Sequence, residues 1–180
     1  MTDPRALELV SVWNALFAAA HRTIAELGGD EPLYLPPSDI AAGRIICNRD
    51  YPASVLHELA HWCIASPRRR RLVDYGYAYL APPRDADAQQ RFFALEERNQ
   101  AIESLFAAAA GLTFRVSCDD VGRDDDGATA FAARVAARAA RFERDGLPQD
   151  AERYRRALAQ LELPAPKLDA SAAVQRSGRG

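Results

Sequence analysis

The chain has few of the features that mark secreted, membrane or nucleic-acid-binding proteins. Its three cysteines form no Cys-x-x-Cys pair, and an odd number of them does not suit a disulfide framework. No apolar run reaches the length of a bilayer span, and the N-terminus lacks the basic-then-apolar order of a secretory signal. A formal net charge of -2 creates no overall attraction to nucleic acid or to a membrane. These absences favour a cytoplasmic protein in a reducing compartment, with no membrane partner and no nucleic-acid substrate.

The length and composition indicate one folded domain. The chain has 180 residues, of which 48% are hydrophobic and 27% are charged, so it is long enough to bury a sizeable core. Helical periodicity is lost from Pro164 onward. We therefore expect a single domain over residues 1–163 and a disordered C-terminal tail over residues 164–180.

Apolar spacing predicts a helix-rich α+β domain with a small sheet. Short runs bounded by Pro, Gly or polar residues predict strands at residues 33–35, 44–47, 73–80 and 114–116. Longer stretches repeat with the period of a helix and end at Gly or Pro. The first expected helix runs from Pro4 to Gly28, and the second begins within residues 51–54 and ends before Pro67. Three further helices are expected at residues 85–110, 129–145 and 148–161.

Only three histidines occur in the chain, and two of them form the sequence His57-Glu58-Leu59-Ala60-His61. Helix positions four apart lie one turn from each other on the same face, so both imidazoles can bind one metal ion. Glu58 is then the residue that a zinc hydrolase uses as its general base. The motif therefore predicts a metal site, and taken alone it slightly favours a zinc peptidase.

A metal site needs at least one more protein ligand, and the nearest suitable carboxylates lie on the next long helix. The candidates are Glu96, Glu97 and Glu103, of which Glu96 has apolar neighbours. From spacing alone, a solvated face is the commoner arrangement for such glutamates. Two histidines and one carboxylate suit Fe(II) in an oxygen-activating site and also suit zinc in a hydrolase, so the ligand set leaves the metal open.

Several blocks of sequence around this motif resemble the bacterial elongation factor P hydroxylases. The resemblance covers about residues 30–120 in collinear order, and the block from His57 to Tyr77 is far more specific than the five-residue motif. The first helix matches loosely, and the Ala- and Arg-rich C-terminal part departs from the family pattern. The matching segments are residues 30–36, 44–46, 54–65, 72–77, 100–101, 105–106, 109–111 and 116–119.

The resemblance implies hydroxylation of a lysine of translation elongation factor P that already carries a β-lysyl group. It also implies Fe(II) held by His57, His61 and Glu96, with Glu97 as a one-residue alternative and zinc or another divalent ion as an alternative occupant. Glu58 then orients a ligand or a water instead of acting as a base. The implied fold resembles the small metal-dependent endonucleases that mature ribosomal RNA, but those use a third histidine where this chain offers carboxylates.

Residues after the motif helix are candidates for substrate contact. Asp74, Tyr75 and Tyr77 are expected to line a pocket for the long cationic side chain, with a structural cap as an equal alternative for Asp74. The four arginines Arg68, Arg69, Arg70 and Arg71 form either a docking patch for the acidic translation factor or a solvated cap on the helix C-terminus. The competing functions are a zinc-dependent peptidase of the His-Glu-x-x-His type and a non-catalytic module with a structural metal.

Overall fold

The computed structural model describes residues 2–48, 51–77, 86–117 and 125–164, and within them lie five α-helices and a three-stranded sheet. The predicted helix-rich α+β organisation is confirmed. None of the described helices is long and apolar enough to cross a membrane. The helices are α1 (Pro4–His21), α2 (Pro52–Ile64), α3 (Ala86–Ala109), α4 (Asp125–Asp145) and α5 (Gln149–Leu158), and the strands are β1 (Thr23–Gly29), β2 (Leu33–Leu35) and β3 (Gly43–Asn48).

The sheet has β3 at its centre, with β1 parallel to it on one side and β2 antiparallel on the other. Side chains along β3 alternate, so that Ile45 and Cys47 are buried while their neighbours are not, as a half-buried strand requires. The buried face packs against α1 and α2. Gly43 is needed where β3 begins, because a Cβ there would lie 2.8 Å from the Thr23 hydroxyl and from the Pro37 ring.

The first helix is shorter than predicted, and the strand that follows it was missed. The helix ends at His21 because Arg22 adopts a left-handed conformation with φ of 49°. The chain then turns back along α1, where the Asn14 side chain donates to the Ala25 carbonyl and accepts from the Ala25 amide. Residues 23–29 therefore form β1 and do not continue the helix, and the expectation of one helix to Gly28 was wrong.

Among the described residues, two of the four predicted strands are replaced by other conformations. Residues 73–76 make a 3-10 turn in which both Asp74 and Tyr75 have positive φ, at 47° and 58°, and residues 78–80 of that prediction lie outside the described residues. The segment Phe114–Val116 is irregular. The predicted strands at residues 33–35 and 44–47 are confirmed as β2 and β3. The predicted second, third, fourth and fifth helices are confirmed as α2, α3, α4 and α5.

An aromatic cluster holds α2 at the centre of the helices. Trp62 of α2 meets Trp13 of α1 edge to face, with ring centroids 5.1 Å apart. Trp13 in turn contacts Tyr154 of α5 at 5.2 Å, and Tyr154 contacts Phe106 of α3 at 5.1 Å. Edge-to-face pairs of this kind add stability beyond the area that they bury. The cluster therefore joins four helices around one rigid segment of α2.

The two cysteines within the described residues are buried and unbonded to each other. Cys47 lies on β3 and Cys63 on α2, and burial raises the pKa of both thiols. A buried thiol with a raised pKa behaves as a small apolar side chain and is a poor metal ligand or nucleophile. Cys47 and Cys63 are therefore core residues, while Cys118 lies outside the described residues.

Arg70 packs inside the molecule, whereas the other three arginines of its run are exposed. Its guanidinium carbon lies 3.4 Å from the centre of a Trp62 ring, and it donates to the Trp62 carbonyl at 3.0 Å and to Asp150 of α5 at 2.8 Å. Arg70 is thus engaged in contacts within the molecule, while a docking role for this run stays a prediction. Arg70 stabilises the junction between α2 and α5, and Arg68, Arg69 and Arg71 remain at the surface.

Replacement of Arg70 by alanine is expected to lower the free energy of unfolding by about 2–3 kcal/mol, because charge-assisted hydrogen bonds and a cation–π contact are lost together. Urea unfolding of the purified variant measures this loss. Arg71→Ala is the matched control and should change stability by less than about 0.5 kcal/mol, as an exposed substitution does. Equal effects of the two substitutions would contradict the structural role of Arg70.

Candidate metal centre

A stripe of buried polar side chains runs along the face of α3 that meets α2. Its members are Glu96, Asn99, Gln100 and Glu103, which are 7%, 0%, 2% and 6% exposed. They recur at positions i, i+3, i+4 and i+7, so they lie on one side of the helix. Polar groups buried in this way are costly unless they are paired. The two histidines of the motif, on the facing side of α2, pair with Glu96, Asn99 and Glu103, while Gln100 pairs with Glu96 and with the Ser117 backbone.

Three side chains bring their ligand atoms together at this interface. The Nε2 atoms of His57 and His61 are 3.2 Å apart, and Glu96 places its oxygens 3.8 Å from the former and 3.4 Å from the latter. A metal ion about 2.1 Å from each ligand atom would separate those atoms by roughly 3.0–3.4 Å in tetrahedral or octahedral geometry. The cluster thus fits one divalent cation. The donor set and its spacing suit both iron and zinc.

The charges around the cluster also favour a cation. Burial by itself lowers the pKa of His57, but the hydrogen bond to Glu103 and the nearby carboxylates of Glu96, Glu103 and Glu58 raise it to about 10. Burial raises the pKa of Glu96, but the hydrogen bond and charge of His61, with the charge of His57, lower it to about 2. Surroundings that keep a proton on His57 also stabilise a metal ion that displaces this proton.

Neighbouring side chains fix the orientation of two of the three candidate ligands, His57 and Glu96. His57 donates from Nδ1 to Glu103 at 2.9 Å, which directs its Nε2 atom toward the cluster. Asn99 donates to the His57 carbonyl at 3.3 Å. Gln100 donates to Glu96 at 3.3 Å and exchanges two further hydrogen bonds with the backbone of Ser117. These contacts are the usual support of a metal site, in which histidine ligands are held by carboxylates and ligand carboxylates by donors.

Glu96 and Glu97 are adjacent in sequence but face different helices. Glu97 pairs with Arg138 of α4 at 2.9 Å and lies 3.6 Å from Arg134, on the side of α3 that turns away from His57. Glu96 is therefore the carboxylate that meets both histidines. The alternative of a solvated glutamate face is wrong for Glu96 and Glu103, which are buried. Their spacing with Asn99 and Gln100 was a signal in the sequence for this buried stripe.

An open cleft of about 730 Å³ reaches the cluster beside His57. Its wall includes Tyr51, Glu58, Glu103 and Arg115. Glu58 is half-buried there, and shielding from water raises its pKa. The charges of the neighbouring histidines lower this pKa in part, and the neighbouring carboxylates raise it further. Tyr51 and Arg115 were not predicted from the sequence, because each lies outside the helices and enters the wall only through the packing of distant segments.

The residues expected to line the substrate pocket have other contacts. Asp74 accepts a hydrogen bond from the Tyr34 amide at 2.9 Å, which agrees with its alternative role as a structural cap. The Tyr75 ring is 3% exposed and stacks on Tyr34 with centroids 4.3 Å apart, while its centroid lies 6.4 Å from that of His61. Tyr77 lies beneath the Arg69 guanidinium. None of Asp74, Tyr75 and Tyr77 lines the cleft beside His57.

The helical histidine pair, the carboxylate from the neighbouring helix and the adjoining cleft define a protein with a candidate two-histidine, one-carboxylate metal site. A sequence profile of the family described as elongation factor P hydroxylase matches residues 12–170. A relative from Haemophilus influenzae named Elongation factor P lysine hydroxylase is 34% identical over 152 residues, which cover 84% of this chain and 85% of the relative. The chain belongs to the elongation factor P hydroxylase family, which confirms the resemblance and favours hydroxylation over the zinc-peptidase alternative.

Loss of the Glu103 carboxylate is expected to weaken metal binding about 10–100-fold, since Glu103 orients the His57 ring. The measurement is a titration of Glu103→Ala with Fe(II) under anaerobic conditions against a competing chelator. Glu97→Ala is the matched control on the same helix, and its affinity for metal should equal that of the wild type. Unchanged affinity in Glu103→Ala would exclude a role for this residue in the metal site.

Proposed function

We propose that this protein hydroxylates the lysine of translation elongation factor P that carries a β-lysyl group, in the cytoplasm, with Fe(II) as its metal. The main support is the convergence of His57, His61 and Glu96 in a chain of this family. The name of the Haemophilus influenzae relative supports the substrate. The reaction is an oxidation of the monooxygenase type: one atom of dioxygen is added to a carbon of the lysine side chain, and two electrons from an external reductant, with two protons, convert the other atom to water.

The proposed roles of the residues follow from their positions. Iron bound at the cluster supplies the means to activate dioxygen when substrate is present. His57, His61 and Glu96 hold the ion from α2 and α3, and Glu103 keeps the His57 ring in place. The cleft beside His57 admits the modified side chain while the helices behind α2 exclude water from the other side.

Further parts of the proposal concern the surface and the limits of the domain. The exposed cations Arg68, Arg69 and Arg71 are suited to contact the acidic face of the translation factor, and this contact should weaken as ionic strength rises. We place the domain at residues 1–163 and a tail after it. A likeness of the fold to the endonucleases that mature ribosomal RNA is part of the same proposal.

Intact-mass spectrometry tests the reaction directly. The wild-type protein, prepared without oxygen and loaded with Fe(II), is mixed with β-lysylated elongation factor P and a chemical reductant and is then exposed to air. We expect the modified factor to gain the mass of one oxygen atom, and we expect no gain in a parallel sample that lacks this protein. Cleavage of a protein substrate that depends on zinc and on Glu58, without any gain of oxygen, would replace the proposal with the peptidase alternative.

The identity of the carboxylate ligand is tested by two neighbouring substitutions. Glu96→Ala is expected to abolish stoichiometric iron binding and hydroxylation, because it removes one of three ligands. Glu97→Ala should keep both, since that side chain pairs with α4. Iron content of the anaerobically loaded proteins, measured by elemental analysis, distinguishes the two variants. Loss of iron in Glu97→Ala alone would move the site by one residue.

A further inference from the structure

Glu58 is the carboxylate of this region that has no fixed partner. Glu96 meets two histidines, Glu103 accepts from His57, and Glu97 pairs with two arginines. Within the part of the chain that the structure describes, no donor or cation forms a hydrogen bond or ion pair with Glu58. A half-buried carboxylate that lacks a hydrogen-bond partner has lost part of its hydration without a donor to replace it. A ligand that supplies a positive charge would remove this deficit.

Several other polar groups of the same wall are already paired. The Ser54 hydroxyl bonds to Asn48, and the Ser117 amide donates to Gln100. Glu103 is held by His57. A molecule that enters the cleft therefore meets Glu58 as the carboxylate of this wall that still lacks a donor.

The charges and size of the cleft indicate what kind of molecule it receives. Glu58 and Glu103 lie on its wall near His57, while Arg115 is exposed. The volume of about 730 Å³ lies within the range of sites that enclose small molecules or long side chains. A cleft with carboxylates beside the metal cluster suits an alkyl chain that ends in an ammonium group and disfavours an anionic or an acetylated chain.

We propose that Glu58 binds an ammonium group of the modified lysine and thereby selects substrates that carry a long, positively charged side chain. This inference rests on the proposed function and adds a substrate-binding residue to it. The ion pair would position the chain in the cleft beside His57, with its carbons near the metal cluster. Glu58 is then neither a hydrolytic base nor a residue that orients the metal ligands.

Steady-state kinetics with β-lysylated elongation factor P test this role. Glu58→Gln keeps the shape of the side chain and removes its charge, so KM should rise about tenfold or more while kcat and iron content change little. Glu58→Asp keeps the charge and should recover part of the loss. Glu8→Gln, the same change at an exposed position of α1, is the matched control and should behave as the wild type. A fall in kcat at unchanged KM, or a loss of iron, would overturn the inference.

A binding measurement without oxygen separates this inference from the proposed reaction. Fluorescence anisotropy of labelled elongation factor P compares the β-lysylated and unmodified forms on the iron-loaded protein. We expect the wild type to bind the β-lysylated form more tightly and Glu58→Gln to lose most of this preference. A preference that persists in Glu58→Gln rejects the role of Glu58 and leaves the hydroxylase intact. A wild type that neither prefers the β-lysylated form nor adds oxygen rejects the proposed function itself.

Discussion

The contact between α2 and α3 imposes the constraint on which the rest of the molecule depends. His61 is buried there with several carboxylate and amide side chains, beside the half-buried His57, and each of them would be destabilising alone. They are compatible with the core because they pair with one another, and because a divalent cation can neutralise the carboxylate that meets both histidines. The positions of α2 and α3 relative to each other therefore determine whether a metal site exists.

The surrounding structure keeps these two helices in place. The aromatic cluster of Trp13, Trp62, Tyr154 and Phe106 joins α2 to α1, α3 and α5, while β3 supports the other end of α2. Arg70 connects the end of α2 to Asp150 of α5. Only a support of this rigidity holds ligand atoms within the few tenths of an ångström that a metal site tolerates.

Four glutamates close together in space differ in environment, and this difference separates their proposed roles. Glu96 faces both histidines, Glu103 orients one of them, and Glu97 pairs with α4. Glu58 faces the cleft and has no partner among the described residues. The same chemical group thus serves as candidate ligand, ligand support, structural ion pair or candidate substrate contact, according to the charges and the water around it.

The sequence by itself determined the pair of histidines on one helical face, the helix-rich class and the family, because spacing along one helix and collinear motifs are local properties. The stripe from Glu96 to Glu103 was also visible in the sequence, but its burial was not. Tertiary structure alone decided that Glu96 and not Glu97 meets the histidines, that residues 23–29 form a strand and that Asp74 caps the Tyr34 amide. It also decided that the cleft opens beside Glu58. Each of these depends on which faces of distant segments pack together, and local propensity does not specify that choice.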